Sequence, residues 1–262
     1  MRVFSHTCSN TEIACALGCA QMLIGIDTDS DFPPDVAASL PKLGRDLELD
    51  VAQVIALKPD LVLASLTVPG HERIVEALRQ AGLPMLVIDP IGLDGVYDSI
   101  VQIAEALGVL KKGRSLVAQM QAGMPPVEPV GPRPKILVEW WPRPVIAPAR
   151  LSWVNEIVHL AGGVNPFEAI DGKSAEIPDA GILAAAPDAV VMSWCGVKEE
   201  KYRREVVERR PGWEHVPAVK HGRIYPVTEA FLGRPGPRLV EGYRALARIV
   251  PLAGRAARRW PR

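Results

Sequence analysis

Residues 55–65 read Ile55-Ala56-Leu57-Lys58-Pro59-Asp60-Leu61-Val62-Leu63-Ala64-Ser65, and residues 183–193 read Leu183-Ala184-Ala185-Ala186-Pro187-Asp188-Ala189-Val190-Val191-Met192-Ser193. Each stretch is a helix end, a Pro-Asp turn and a short apolar run. The flanks repeat as well. Arg2-Val3-Phe4 and Lys135-Ile136-Leu137-Val138 each open a half with a basic residue and a strand. Leu83-Pro84-Met85-Leu86-Val87-Ile88 and Gly222-Arg223-Ile224-Tyr225-Pro226-Val227 each close one. A long repeat of mixed helix and strand predicts two similar lobes with a cleft between them, a common place for a small ligand.

Working outward, Val3–Ser5 reads as a strand, and Asn10 as the N-cap of a helix over 11–18 that stops at Gly18. Further strands are predicted at 22–26, 61–65 and 85–89, and helices at 50–56 and 71–81. The run from Leu93 to Met124 keeps helical periodicity through Val96, Ile100, Ile103, Ala104 and Leu107, with Gly108 and Gly113 as possible interruptions. Prolines 125, 126, 129, 132 and 134 mark a boundary. Beyond it come strands at 135–139, 189–193 and 223–227, and helices at 153–161, 179–185, 200–208 and 237–249. Alternating strands and helices predict an α/β fold, two similar lobes with mostly parallel sheets joined by a long spine helix. The boundaries are residues 1–92, 93–124 and 125–262. A stiff spine restricts hinge opening.

The 262 residues are 48% hydrophobic, ample for buried cores, and 30 basic residues balance 30 acidic ones. No global field attracts nucleic acid. The locally basic stretch from Arg244 to Arg262 reads as a solvated helix face and frayed end. Met1-Arg2-Val3-Phe4-Ser5-His6 opens without an apolar leader, which predicts a cytoplasmic protein; a secreted chain trimmed of its signal is the alternative. Four cysteines in that setting read as thiols.

The residues at the first helix start (Ser9-Asn10-Thr11-Glu12), at Gly25-Ile26-Asp27 with Asp31-Phe32-Pro33, at Ala56–Val62, at Ala161-Gly162-Gly163-Val164-Asn165-Pro166-Phe167 and at Pro237-Arg238 stand in order along nearly the whole chain. Together they resemble the helical-spine (class III) substrate-binding proteins of ABC importers for vitamin B12, haem and iron–siderophores, and most closely the vitamin B12-binding branch. The resemblance implies non-catalytic binding of a tetrapyrrole-like ligand, cobalamin or a related corrinoid first, with no intrinsic cofactor. It also implies a glutamate on each lobe for docking to the permease. The corresponding positions here read Ala52 and Gly233, which argues against direct permease docking and for uptake, storage or delivery by a cytoplasmic relative. The alternatives are a secreted importer subunit for haem or an iron–siderophore, and an enzyme acting on a corrinoid or metal chelate through Cys8 or His6. No nucleophile elbow, phosphate loop, dinucleotide fingerprint or zinc-protease helix is present in the sequence.

Ligands of doubly wound sheets sit beyond the carboxyl ends of the strands. That rule selects the loops holding Cys8, Ser9 and Asn10 in the first half and Trp140, Trp141, Trp194, Phe231 and Arg234 in the second, and Asp29, Arg45, Ser65 and Trp153, just before a helix, are further candidate ligand contacts. The tryptophans stand out in a chain only 5% aromatic, because rigid flat side chains suit a flat macrocycle. Asp29, Asp31, Arg45, Arg143 and Arg234 would instead suit a polar or anionic ligand. His6, Cys8 and His71 are candidate axial ligands to a metal carried by the bound molecule, since thiolate and imidazole suit cobalt. Cys15 and Cys19 lie four apart, but with Cys8 they match no zinc spacing and read as packed thiols.

Overall fold

The computed structural model describes residues 1–129 and 131–254. The end of the basic tail, residues 255–262, lies outside the described residues. The chain divides into two compact units. One holds Met1–Pro90, Asp94–Met120 and Pro235–Pro237; the other holds Ile91–Leu93, Gln121–Arg234 and Arg238 onward.

In the first unit, β1 (Val3–Ser5) leads into α1 (Cys8–Ala16), and β2 (Leu23–Ile26) into α2 (Pro34–Ser39). A small hairpin follows, β3 (Gly44–Arg45) and β4 (Glu48–Leu49). Then come α3 (Val51–Leu57), β5 (Leu61–Ser65), α4 (His71–Gln80) and β6 (Met85–Ile88). The main sheet runs β2-β1-β5-β6, all parallel, with Val3 opposite Leu61 and Ser65 opposite Ile88. Val62, Leu63 and Ala64 are fully buried, as a continuous apolar strand covered on both faces should be. Ile74, Val75 and Leu78 turn one face of α4 onto Phe4, Val54 and Val62. Each such aliphatic contributes about 1.5–3 kcal/mol over leaving it exposed.

Two starts differ from the sequence expectation or refine it. Helix α1 begins at Cys8, with Thr7 in the cap position, so Asn10 is inside the helix rather than its cap. Its side-chain amide donates to the nearby His6 carbonyl at 2.9 Å and, across the sheet, to the Ala64 carbonyl at 3.2 Å. Asp50 does cap α3, accepting from the Gln53 amide at 3.0 Å.

Where one helix was expected over 93–124, two form: α5 (Gly92–Ala106) and α6 (Leu110–Ala122). Gly108, at φ 73, makes the turn between them. A Cβ on Gly113 would lie 2.4 Å from that of Ala104, so glycine lets α6 pack closely on α5.

The second unit opens with β7 (Ile136–Glu139), β8 (Trp141–Pro142), β9 (Val145–Pro148) and α7 (Val154–Leu160). It continues with β10 (Ser174–Glu176), α8 (Asp179–Ala185), β11 (Ala189–Met192), α9 (Glu205–Glu208) and α10 (Pro217–Lys220). It closes with β12 (Ile224–Pro226), α11 (Glu229–Leu232) and α12 (Leu239–Ala253). Strands β12-β11-β7 form a parallel sheet. A second, antiparallel sheet, β10-β9-β8, was not expected from the sequence. Its strands are short and carry Pro142 and Pro148, so their local signal is weak. Leu137, Val190, Met192, Ile224 and Trp213 share one core.

Candidate functional site

The strand ends of the first unit form a polar face. Thr7, at φ 82 and ψ 143, turns the chain from β1 into α1 in a conformation rare for a non-glycine residue. Cys8 donates its thiol to the Asp29 carbonyl at 3.0 Å, and Ser9 is buried with its hydroxyl 3.2 Å from that of Thr7. Asp27, wholly buried, accepts from the Asp29 and Ser30 amides and the Ser30 hydroxyl, and so shapes the loop after β2. Burial still outweighs those bonds and raises its pKa. Asp29 accepts from the Asp46 amide at 3.2 Å and from Arg45 Nε at 3.4 Å. The Arg45 side chain is 63% exposed, and Asp31 is exposed as well. Ser65 is buried at the end of β5, its hydroxyl 3.2 Å from that of Thr67.

His6 and His71 are fully buried, their rings edge to face at 5.0 Å. His6 donates from Nε2 to the Asp46 carbonyl at 2.7 Å, and His71 Nε2 lies 3.3 Å from the Asp46 carboxylate. The Val68 amide points at His71 Nδ1 at 3.4 Å, which leaves the proton on Nε2. Burial lowers the His6 pKa to about 4, against the raising effect of its bond to Asp46. The carboxyl of Asp46 is held low, chiefly by its bond to His71. The two imidazoles therefore fasten the β3–β4 turn from inside. This corrects the reading of His6 and His71 as axial ligands, because neither ring presents a nitrogen at the surface. Among the described residues no group of three or more His, Cys, Asp or Glu side chains is placed to hold a metal. Cys8, Cys15, Cys19 and Cys195 take part in no disulfide. Burial pushes Cys15 up to about 11, with Asp35 adding to it, so it stays protonated.

The strand ends of the second unit are aromatic. Trp141 is 41% exposed and donates its indole N–H to the Arg143 carbonyl at 3.1 Å, so it is oriented yet open. Trp140 is half-buried, its ring tilted against Trp153 at 6.1 Å. Trp153 is only 2% exposed and bonds the Leu232 carbonyl at 2.8 Å. Trp194 is 4% exposed, bonds Glu139 at 3.1 Å and packs on Tyr202 at 5.1 Å. Trp153 and Trp194 thus build the wall behind the surface, while Trp140 and Trp141 reach it. Phe231 is half-buried beneath Arg238, whose guanidinium carbon is 4.9 Å from the ring centre. Arg234 is buried and pairs with Glu229 through Nε and Nη2, at 3.0 and 2.7 Å. Arg143 is exposed at the hairpin tip.

Sequence reasoning missed Glu139, Asp46, Tyr202, Arg210 and Trp213. A carboxylate ending the apolar run Ile136-Leu137-Val138 was the one local signal, since a buried charge needs a partner.

Each of the two units carries a parallel sheet, and the candidate residues gather in the loops at its strand ends, an arrangement suited to holding a small ligand. The sequence matches the family described as periplasmic binding protein over residues 3–230, and the chain belongs to that family, whose members bind ligands without catalysis. It is 32% identical, over 95% of its length and 79% of the relative's, to the uncharacterized ABC transporter substrate-binding lipoprotein YvrC of Bacillus subtilis (strain 168). It is 28% identical to the vitamin B12-binding protein of Vibrio vulnificus (strain YJ016), over 90% of this chain and 85% of that one. Among solved structures, the periplasmic heme-binding protein RhuT from Roseiflexus sp. RS-1 superposes with a TM-score of 0.82 at 24% identity. It covers 97% of this chain and 99% of its own.

Proposed function

We propose that this protein binds a corrinoid, a cobalamin-like ligand, reversibly and without turnover. The observation that carries the reading is Trp141. Its indole is exposed, its N–H is already satisfied, and Trp140 stands beside it in sequence at the end of a buried strand. Such a ring offers a flat apolar contact with little rotamer entropy to lose. The vitamin B12-binding relative supports this ligand class. A porphyrin is the second reading, because a flat indole face does not distinguish the two macrocycles.

The cellular setting is part of the proposal. Ala52 is exposed on α3, and Gly233 packs beside Glu229, so neither point offers a docking carboxylate. We place the protein in the cytoplasm, holding its ligand for storage or delivery; fractionation of cells making the full chain tests this, and recovery outside the cytoplasm overturns it.

The binding test is a tryptophan-quenching and thermal-shift titration with cyanocobalamin, cobinamide, haem and a ferric siderophore. A ligand at ~100 times its Kd adds about 2.7 kcal/mol of stability. Saturable stabilisation by the corrinoids is expected. Stabilisation by haem alone moves the assignment to a porphyrin, and silence from all four overturns the tetrapyrrole reading.

A further inference from the structure

Behind the exposed Trp141 lies a buried charge pair that the binding surface itself does not require. Glu139, the last residue of β7, has no exposed side-chain surface, and Arg210 has only 5%. Arg210 grips the carboxylate with both terminal nitrogens, Nη1 to Oε2 at 3.0 Å and Nη2 to Oε1 at 2.6 Å. Nη2 also donates to the Pro142 carbonyl at 2.9 Å, within β8. The guanidinium carbon sits 4.4 Å from the centre of the Trp213 ring, and the Trp213 indole is anchored on Asp179 at 2.9 Å. Trp194 adds its own N–H to Glu139 at 3.1 Å.

Removing two charges from water is costly, and an apolar pair of the same volume is often as stable or more so. What the ion pair adds is geometry. A guanidinium is a rigid planar fork, so a carboxylate on one side and a carbonyl on the other fix the distance between them. Here the carboxylate ends β7 and the carbonyl belongs to Pro142, the residue after Trp141. The short strand β8 has only two residues, pairing Trp141 with Ile146 and Pro142 with Val145. A ladder that short is a weak constraint on its own.

We infer that Arg210 is the positioning residue of the aromatic edge: its fork between Glu139 and the Pro142 carbonyl, stacked on Trp213, sets where Trp141 is presented. The inference rests on the reading in which Trp141 touches the ligand.

The test uses the full chain labelled with 5-fluorotryptophan, the Trp141 resonance being assigned by Trp141→Phe. Arg210→Lys keeps one charge contact to Glu139 but cannot span to Pro142 at the same time. The expected result is a cooperatively folded protein whose Trp141 fluorine signal shifts or broadens and whose cyanocobalamin Kd rises roughly tenfold, measured well below its Tm. An unmoved Trp141 signal and unchanged Kd, with only a lower Tm, would reduce Arg210 to a core ion pair and overturn the inference. If Arg210→Lys does not fold, Glu139→Gln retains the shape and an acceptor, and the same two readouts decide. Should Trp141→Ala leave cyanocobalamin affinity unchanged, the ligand reading fails; the fluorine signal in Arg210→Lys still tests the positioning role.

Discussion

Lys58 and Ala186 adopt the same left-handed backbone, φ 49 and ψ 60 in one and φ 49 and ψ 62 in the other, each at the end of a helix and just before the proline of a Pro-Asp turn. Neither is a glycine. The amide of Lys58 closes on the Ile55 carbonyl at 3.0 Å and that of Ala186 on Ile182 at 2.9 Å. The repeated sequence is thus a repeated three-dimensional joint: helix, left-handed stop, turn, central strand.

This conformation costs an L-residue about 1–2 kcal/mol. Glycine relieves it but returns about 0.4–1 kcal/mol through the freer unfolded chain. Ala186→Gly is therefore expected to stabilise the protein by roughly 0.5 kcal/mol. Denaturant titration checks the sign; a clear loss of stability would show that the Ala186 methyl packs productively.

Trp141→Ala removes exposed surface, so the Tm should hardly change. Its effect should fall on binding. An aromatic hot spot contributes about 2 kcal/mol or more, so a loss of roughly 30-fold or greater in cyanocobalamin affinity is expected by quenching or calorimetry.

Stability should fall on acidification through His6. Its folded pKa is lowered from the ordinary 6.5 to about 4, chiefly by burial. The stability it contributes is complete above pH 6.5 and declines as the pH drops toward 4, because the unfolded chain takes up the proton first. The loss is on the order of 3 kcal/mol. Asp46, held low by His71, acts in the same direction at still lower pH. Urea titrations from pH 7.5 to 4 measure the slope, and His6→Gln should flatten it.

Asn165, buried in the Gly-Gly-Val-Asn-Pro-Phe stretch, donates to the Pro148 carbonyl at 2.9 Å and to Asn155 at 2.8 Å, and accepts from the Phe167 amide at 3.0 Å. Asn165→Ala leaves those partners without it and should cost about 2–4 kcal/mol. A fall in the denaturation midpoint at constant slope is the expected reading.

Much of the framework is legible in the sequence. The strand Leu61–Ser65 and the helix Asp179–Ala185 stand at their predicted limits, because a buried parallel strand and a Pro-flanked helix both leave strong local marks. The α1 start was misplaced, since Asn10 has a capping side chain whose amide is claimed by carbonyls of other strand ends. The sequence offers Trp140, Trp141 and Trp194 at strand ends and Trp153 before a helix, without saying which of them is core. Burial then separated them, leaving Trp141 open and turning Trp153 and Trp194 into core.

The sequence by itself determined the two-fold plan of α/β units, the strand-end loops and the aromatic character of one face, because periodicity, turn chemistry and composition are local properties. Only the tertiary structure decided which loop residues are spent on one another. The bond from His6 to Asp46 and the fork from Arg210 to Glu139 and Pro142 join residues far apart in the chain. Such pairings follow from packing geometry, and no local pattern encodes a partner 71 positions away.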